Sequence, residues 1–238
     1  MRTAAFTTTA ICAALLLLGA APARADDART YAPGPFDRIE IDGHARVTLT
    51  QGATDQVVVH GDDATQRRVE VSLDGTRLSV HTSENWKFWR NDALHVDVQM
   101  REPRAISLSG ASDLIAQGPL HAQSLTIDIS GTANVRMDAI DADALRFDVS
   151  GAGDGRLAGR AGALAISLSG TGKIKAEDLR TSSAKVSISG AGGARLWVTD
   201  ALDVDISGIG SVDYWGHPAR LRRDTSGLGS IKALGDKH

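Results

Sequence analysis

Two tryptophans, a file of cations and one aromatic knot are the residues of this chain with the most chemistry to offer. Trp197 and Trp215 each lie seven residues after the glycine of a Ser-Gly pair. On adjacent turns of a repeat, two indoles would form a stacking platform for a sugar ring or another flat apolar ligand; the alternative is that they cover each other and a loop. Two residues earlier in the same frame stand Arg136, Arg156, Lys175, Arg195, Asp213 and Lys232. Four successive cations at one repeat spacing suit an acidic polysaccharide, whereas Asp138 and Glu177 close by suit a solvated, locally compensated face. Trp86-Lys87-Phe88-Trp89 sets three aromatics in a polar stretch. Trp86, Phe88 and Trp89 either fold over neighbouring strands or meet a partner.

Other chemistry has less support. The carboxylates Asp128, Asp148 and Asp205 recur at one position of the repeat, which is how solvated edge residues behave, whereas acid–base catalysis needs a pair at non-repeating positions. Asp113, Asn134 and Asp154 share a turn position that would suit calcium, but Lys173 and Gly193 follow them there. Gly170-Thr171-Gly172-Lys173 lacks the glycine spacing, the following Ser or Thr and the helix of a phosphate loop. The histidines are scattered without zinc spacing. No catalytic residue, metal site or cofactor is therefore assigned. The formal charge of −3 gives no support to nucleic-acid binding, which wants a concentrated basic surface.

The element that must position these side chains is a repeat of about 20 residues. Ser-Gly occurs at Ser109, Ser130, Ser150, Ser169, Ser189, Ser207 and Ser226, at intervals of 21, 20, 19, 20, 18 and 19. One residue back from the first six serines stand Leu108, Ile129, Val149, Leu168, Ile188 and Ile206, and three back Ile106, Ile127, Phe147, Ile166, Val186 and Val204. The residue between them is always Ser or Asp, the alternation of a strand with one buried face. A second short strand follows each pair, its inward positions Leu114, Val135, Gly155, Ile174, Ala194 and Val212. Such units bury nothing alone and must stack. The fold class is all-β: a parallel β-helix, or β-solenoid, with a less regular N-terminal β region. The last coil has Arg223 and Thr225 where others are apolar, with Arg222 beside them, and reads as a terminal cap.

Ile39 to Gly43, then Val47 and Leu49, follow the same template with Asp42 replacing serine. Further strands are expected at residues 56–60, 69–73, 77–81 and 94–100, with Asp74-Gly75 as a hairpin turn. Arg2, the apolar stretch 11–18 and Ala23-Arg24-Ala25 read as a signal peptide cut near Ala25-Asp26. That implies export to the periplasm or cell surface, with no transmembrane segment. Cys12 lies inside the leader, so neither a lipid anchor nor a disulfide is expected in the mature chain. The organisation is thus residues 1–25 leader, 26–33 linker, 34–235 one domain and 236–238 tail.

Phe36-Asp37-Arg38-Ile39-Glu40-Ile41-Asp42-Gly43, the strand Arg77-Leu78-Ser79-Val80 and the recurring Ile-Asp-Ile-Ser-Gly phrase resemble the head GIN domain family of bacterial secreted proteins, the putative auto-transporter adhesins. The resemblance implies a β-helix-like fold and an envelope setting, and brings no catalytic residue. The expected function is non-catalytic envelope or surface binding, adhesin-like, or scaffolding, with a glycan or other envelope component as partner. A polysaccharide-active β-helix enzyme and a purely structural envelope protein are the alternatives.

Overall fold

The computed structural model describes residues 28–82 and 93–237. Its strands are β1 (Ala28–Tyr31), β2 (Arg38–Gln51), β3 (Gln56–His60), β4 (Val69–Asp74), β5 (Arg77–Thr82), β6 (Leu94–Met100), β7 (Ala105–Gln117), β8 (Leu120–Ile129), β9 (Thr132–Val149), β10 (Ala152–Leu168), β11 (Thr171–Ile188), β12 (Ala191–Ile206), β13 (Ile209–Trp215), β14 (Arg220–Thr225) and β15 (Leu228–Ala233), with one helical turn, α1 (Asp63–Gln66). From β7 onward every pairing is parallel and joins one coil to the next, giving a β-solenoid of about 6 turns.

The inward columns read from the sequence are the core. Leu108, Ile129, Val149, Leu168, Ile188 and Ile206 are buried, as are the residues two and four positions earlier in these coils from Leu125 on. Leu114, Val135, Ile174, Ala194 and Val212 line the second buried column. At Gly155 that column has no side chain, and the ring of Phe147 fills the space. Two short strands per coil were expected, yet β9, β10 and β11 run unbroken through 17 or 18 residues. The hydrogen-bond ladder bends at the coil corners through single register shifts instead of stopping there.

Backbone packing fixes the Ser-Gly corner. In the coils from β9 onward, the serine and glycine N–H groups both point at a carbonyl of the coil below; Ser169 N and Gly170 N lie 2.9 and 3.2 Å from Val149 O. The Ser150 and Ser169 hydroxyls donate to the same carbonyls as their own N–H groups, each at 3.3 Å. A Cβ on Gly131, Gly151, Gly170, Gly190, Gly208 or Gly227 would overlap the carbonyl oxygen of the glycine one coil below. Glycine is required by this close approach, and the serine closes the corner.

β2 is the founding coil. It pairs with β7 from Arg38↔Ala105 to Thr50↔Gln117, with Asp42 opposite Ser109, and the Ser109 hydroxyl donates to Asp42 Oδ1 at 3.0 Å. β3 and β6 occupy the expected residues, while β4 and β5 each run one residue further. The β4–β5 hairpin turns on Gly75-Thr76, one residue later than expected, because Asp74 pairs with Arg77 and Gly75 takes the positive φ of 60°. Residues 28–31, inside the segment read as a linker, form β1 antiparallel to β3; Ala-Arg-Thr-Tyr carries no apolar alternation to reveal it. At the far end β14 is exposed throughout and polar except for Leu221, which blunts an open edge, but Leu228 in β15 is 77% exposed.

Candidate functional site

The solenoid register turns the cation positions into one continuous file. Arg136 pairs with Arg156, Arg156 with Lys175, Lys175 with Arg195, and Arg195 with Asp213, then Asp213 with Lys232. All face outward, because they alternate with the buried second column. Beside the file, Arg136, Arg156, Lys173, Lys175 and Arg46 surround a cleft of about 310 Å³ that also touches Asp113 and Asp154. Both acids are already engaged: Asn134 Nδ2 donates to Asp113 Oδ1 and the Lys173 N–H to Asp154 Oδ1, each at 2.8 Å.

The file is only partly compensated. Arg136 lies 2.6 Å from Asp138, while Arg156 reaches Asp138 and Asp178 at 3.8 and 3.9 Å. Arg195 lies 3.9 Å from Glu177 and 4.0 Å from Asp213. Lys173, Lys175 and Arg46 make no ion pair among the described residues, so the cleft keeps unspent positive charge.

Trp197 and Trp215 are register partners, half-buried on adjacent coils. The Thr181 hydroxyl, itself buried, donates to Trp197 O at 2.8 Å and fixes the backbone there. The indole pair is not bare. The Lys237 ammonium sits 5.4 Å from the Trp197 ring centroid and 5.7 Å from that of Trp215, and Arg180 lies 5.9 Å from Trp197. Lys237 Nζ also donates to Asp178 Oδ1 at 2.7 Å, and this bond holds the Asp178 carboxyl below its ordinary pKa. Trp86, Phe88 and Trp89 lie outside the described residues.

Two features escaped the sequence reading, and a third, the Asp128–Asp148 column, was read only as a repeat position. A groove of about 870 Å³ crosses coils β8 to β14 where Ser124, Ala144, Ala163, Ser183 and Ala201 stack, flanked by Arg146, Lys185 and Arg222. Its floor was legible, since these small residues stand six positions before successive serines. Near the groove's first coil, Arg160 Nη2 donates to Asp141 Oδ2 at 2.6 Å and lowers the Asp141 pKa, with His121 Nδ1 3.1 Å from the same oxygen. Asp128 stands in register with Asp148; burial first, then the Asp148 charge, raises its pKa. Asp148 is held in turn by Arg146 at 2.5 Å.

The family model described as "Putative auto-transporter adhesin, head GIN domain" matches residues 35–218. No curated protein matches the chain in sequence. Among solved structures, a putative adhesin from Bacteroides fragilis superposes with a TM-score of 0.84 at 24% identity, covering 87% of this chain and 96% of its own. A putative lipid binding protein from Parabacteroides distasonis gives 0.69 at 20% identity, with coverage of 87% and 96%. A putative adhesin from Parabacteroides merdae gives 0.64 at 20%, with 87% and 95%. These similarities establish a shared fold.

Proposed function

The chain belongs to the head GIN domain family of putative auto-transporter adhesins, and from that footing we propose that it is an exported, non-catalytic β-solenoid that binds an acidic glycan of the cell envelope or surface. The observation that supports this most is the file Arg136–Arg156–Lys175–Arg195 beside a cleft whose Lys173, Lys175 and Arg46 are unpaired. Cations one coil apart repel one another, and a polyanion laid along the file relieves that repulsion while its own charges remain near water. The leader read at residues 1–25 agrees with export.

Catalysis on such a glycan is the weaker alternative. The carboxylate pair Asp128 and Asp148 belongs to the repeat, and Arg146 already neutralises one member. A purely structural scaffold is the other alternative. Polygalacturonate, a soluble acidic polysaccharide, separates the three. A binder retains it at low ionic strength and releases it as salt shortens the screening length from about 10 Å at 0.1 M to about 3 Å at 1 M. Shortened chains point to the enzyme; neither binding nor cleavage leaves the scaffold.

A second reading rests on the long groove. It runs for roughly 24 Å at about 4.8 Å per coil, has a floor of alanines, leucines and serines, and carries Arg146, Lys185 and Arg222 on its flank, with Asp203 between the last two. Such a groove suits an extended acyl chain with an anionic head, in keeping with the name of the P. distasonis fold relative. Displacement of a fluorescent fatty acid by oleate, lost in Ala163→Trp, tests it.

A further inference from the structure

The stack breaks register once in a way that builds something. Ala176 pairs with Leu196, but the next pair is Arg180 with Trp197, so Glu177, Asp178 and Leu179 have no partner in β12. This offset accompanies the shortest interval of the repeat, the 18 residues from Ser189 to Ser207. The shorter coil leaves a ledge. On it the Lys237 ammonium bonds the Asp178 carboxylate and lies within 6 Å of the ring centroids of the register partners Trp197 and Trp215.

We propose that this ledge is a recognition site for a primary alkylammonium group, a lysyl side chain presented by another polypeptide, and that the chain's own Lys237 occupies it as a displaceable strap. Two aromatic faces within 6 Å attract a cation of any kind. Asp178, at 2.7 Å from Nζ, selects a cation that carries an N–H to donate, which a quaternary ammonium lacks. The strap is held by few bonds. Leu234 N–H donates to Tyr214 O at 2.8 Å and Gly216 N–H to Gly235 O at 2.9 Å. Gly235 then turns with a φ of 87°, and beyond it Asp236 meets His217 at 3.0 Å and Lys237 meets the ledge. The Lys237 side chain is 20% exposed, but Asp178 is half exposed; ion pairs and cation–π contacts that water reaches on one side are individually weak, so an incoming lysine at high local concentration exchanges with the strap. The proposal does not rest on the glycan reading, although Arg156 of the cation file approaches the same Asp178 carboxylate at 3.9 Å.

The test is calorimetric titration of the full chain and its Lys237→Gln variant with Nα-acetyl-lysine methylamide, using the norleucine analogue and choline as controls. Lys237→Gln is expected to bind the lysine analogue at least tenfold more tightly than the unsubstituted chain, because the internal competitor is gone. Adding Asp178→Asn to that variant returns the affinity to the level of the norleucine control, and choline binds at least tenfold more weakly than the lysine analogue. Equal affinity with and without Lys237, no binding in either protein, or binding of norleucine or choline as tight as that of lysine overturns the proposal. Circular dichroism and the melting temperature of each variant confirm that the fold is retained.

Discussion

The Ser-Gly corner and the Trp197 ledge belong to the same coils and obey opposite rules. At the corner every coil repeats the one below it, glycine over glycine, and the backbones approach until no Cβ fits. At the ledge the register slips by three residues, side chains replace backbone contacts, and charged groups collect. Regularity here is a structural constraint, and the interruption of regularity is where specific chemistry gathers. The cation file stands between these extremes: it is periodic like the corner, yet made of outward side chains that packing does not demand.

The largest effect should come from disturbing the corner. Gly170→Ala places a methyl group on the Gly151 carbonyl oxygen, and we expect a loss of at least about 4 kcal/mol in denaturant unfolding, an exceptional value for one substitution. Gly75→Ala is the control. Nothing lies within 4 Å of its would-be Cβ, so the cost there is the left-handed backbone alone, about 1 to 2 kcal/mol. Equal losses at the two sites would break the distinction between close approach and conformational freedom.

Next in size is Phe147→Ala, which empties a fully buried ring from the core opposite Gly155. A loss of about 3 kcal/mol or slightly more is expected. Filling Gly155 in that background, as Phe147→Ala with Gly155→Val, should recover part of it, because the two positions share one volume.

A smaller effect, of opposite sign, belongs to Asp128. Burial and the Asp148 carboxylate raise its pKa in the folded protein. A carboxyl raised on folding stabilises while protonated, fully below the unfolded value near 3.8, and that contribution is lost as pH rises through the folded value. Asp128→Asn should therefore stabilise the protein at pH 7, by under about 1 kcal/mol after solvent screening. The gain should close as the pH falls below 3.8. Smallest of all, Lys237→Gln on the ledge should leave unfolding within about 0.5 kcal/mol of the original. A greater loss would make the strap part of the fold and weaken the contrast.

Where the chain repeats, its sequence is legible. The period located the buried columns, the founding coil at Ile39 to Gly43, and the alignment of Trp197 with Trp215, because stacking converts sequence distance into spatial adjacency. The small-residue floor of the long groove lay in the same frame and went unread, since absent side chains signal nothing by themselves. Contacts from outside the period were beyond reach. Lys237 follows the last coil, and no spacing ties it to Asp178, 59 residues away. The ledge left only one trace, an interval of 18 among intervals of 19 to 21. Strand continuity between one Ser-Gly corner and the next was missed because a register shift changes hydrogen-bond partners without changing hydropathy.

The central claim is that the serine corners build the molecule while the cation file binds. It is tested most directly by titrating polygalacturonate into two triple variants, Arg136→Ser/Arg156→Ser/Lys175→Ser and Ser109→Ala/Ser150→Ala/Ser169→Ala, the latter removing hydroxyls that each donate to a carbonyl of the coil below at 3.3 Å. The account predicts that the first loses binding and keeps its melting temperature. The second should keep binding and lose stability by about 1 kcal/mol or less for each hydroxyl removed. Binding that survives the first set and disappears with the second, in a protein that remains folded, would contradict it.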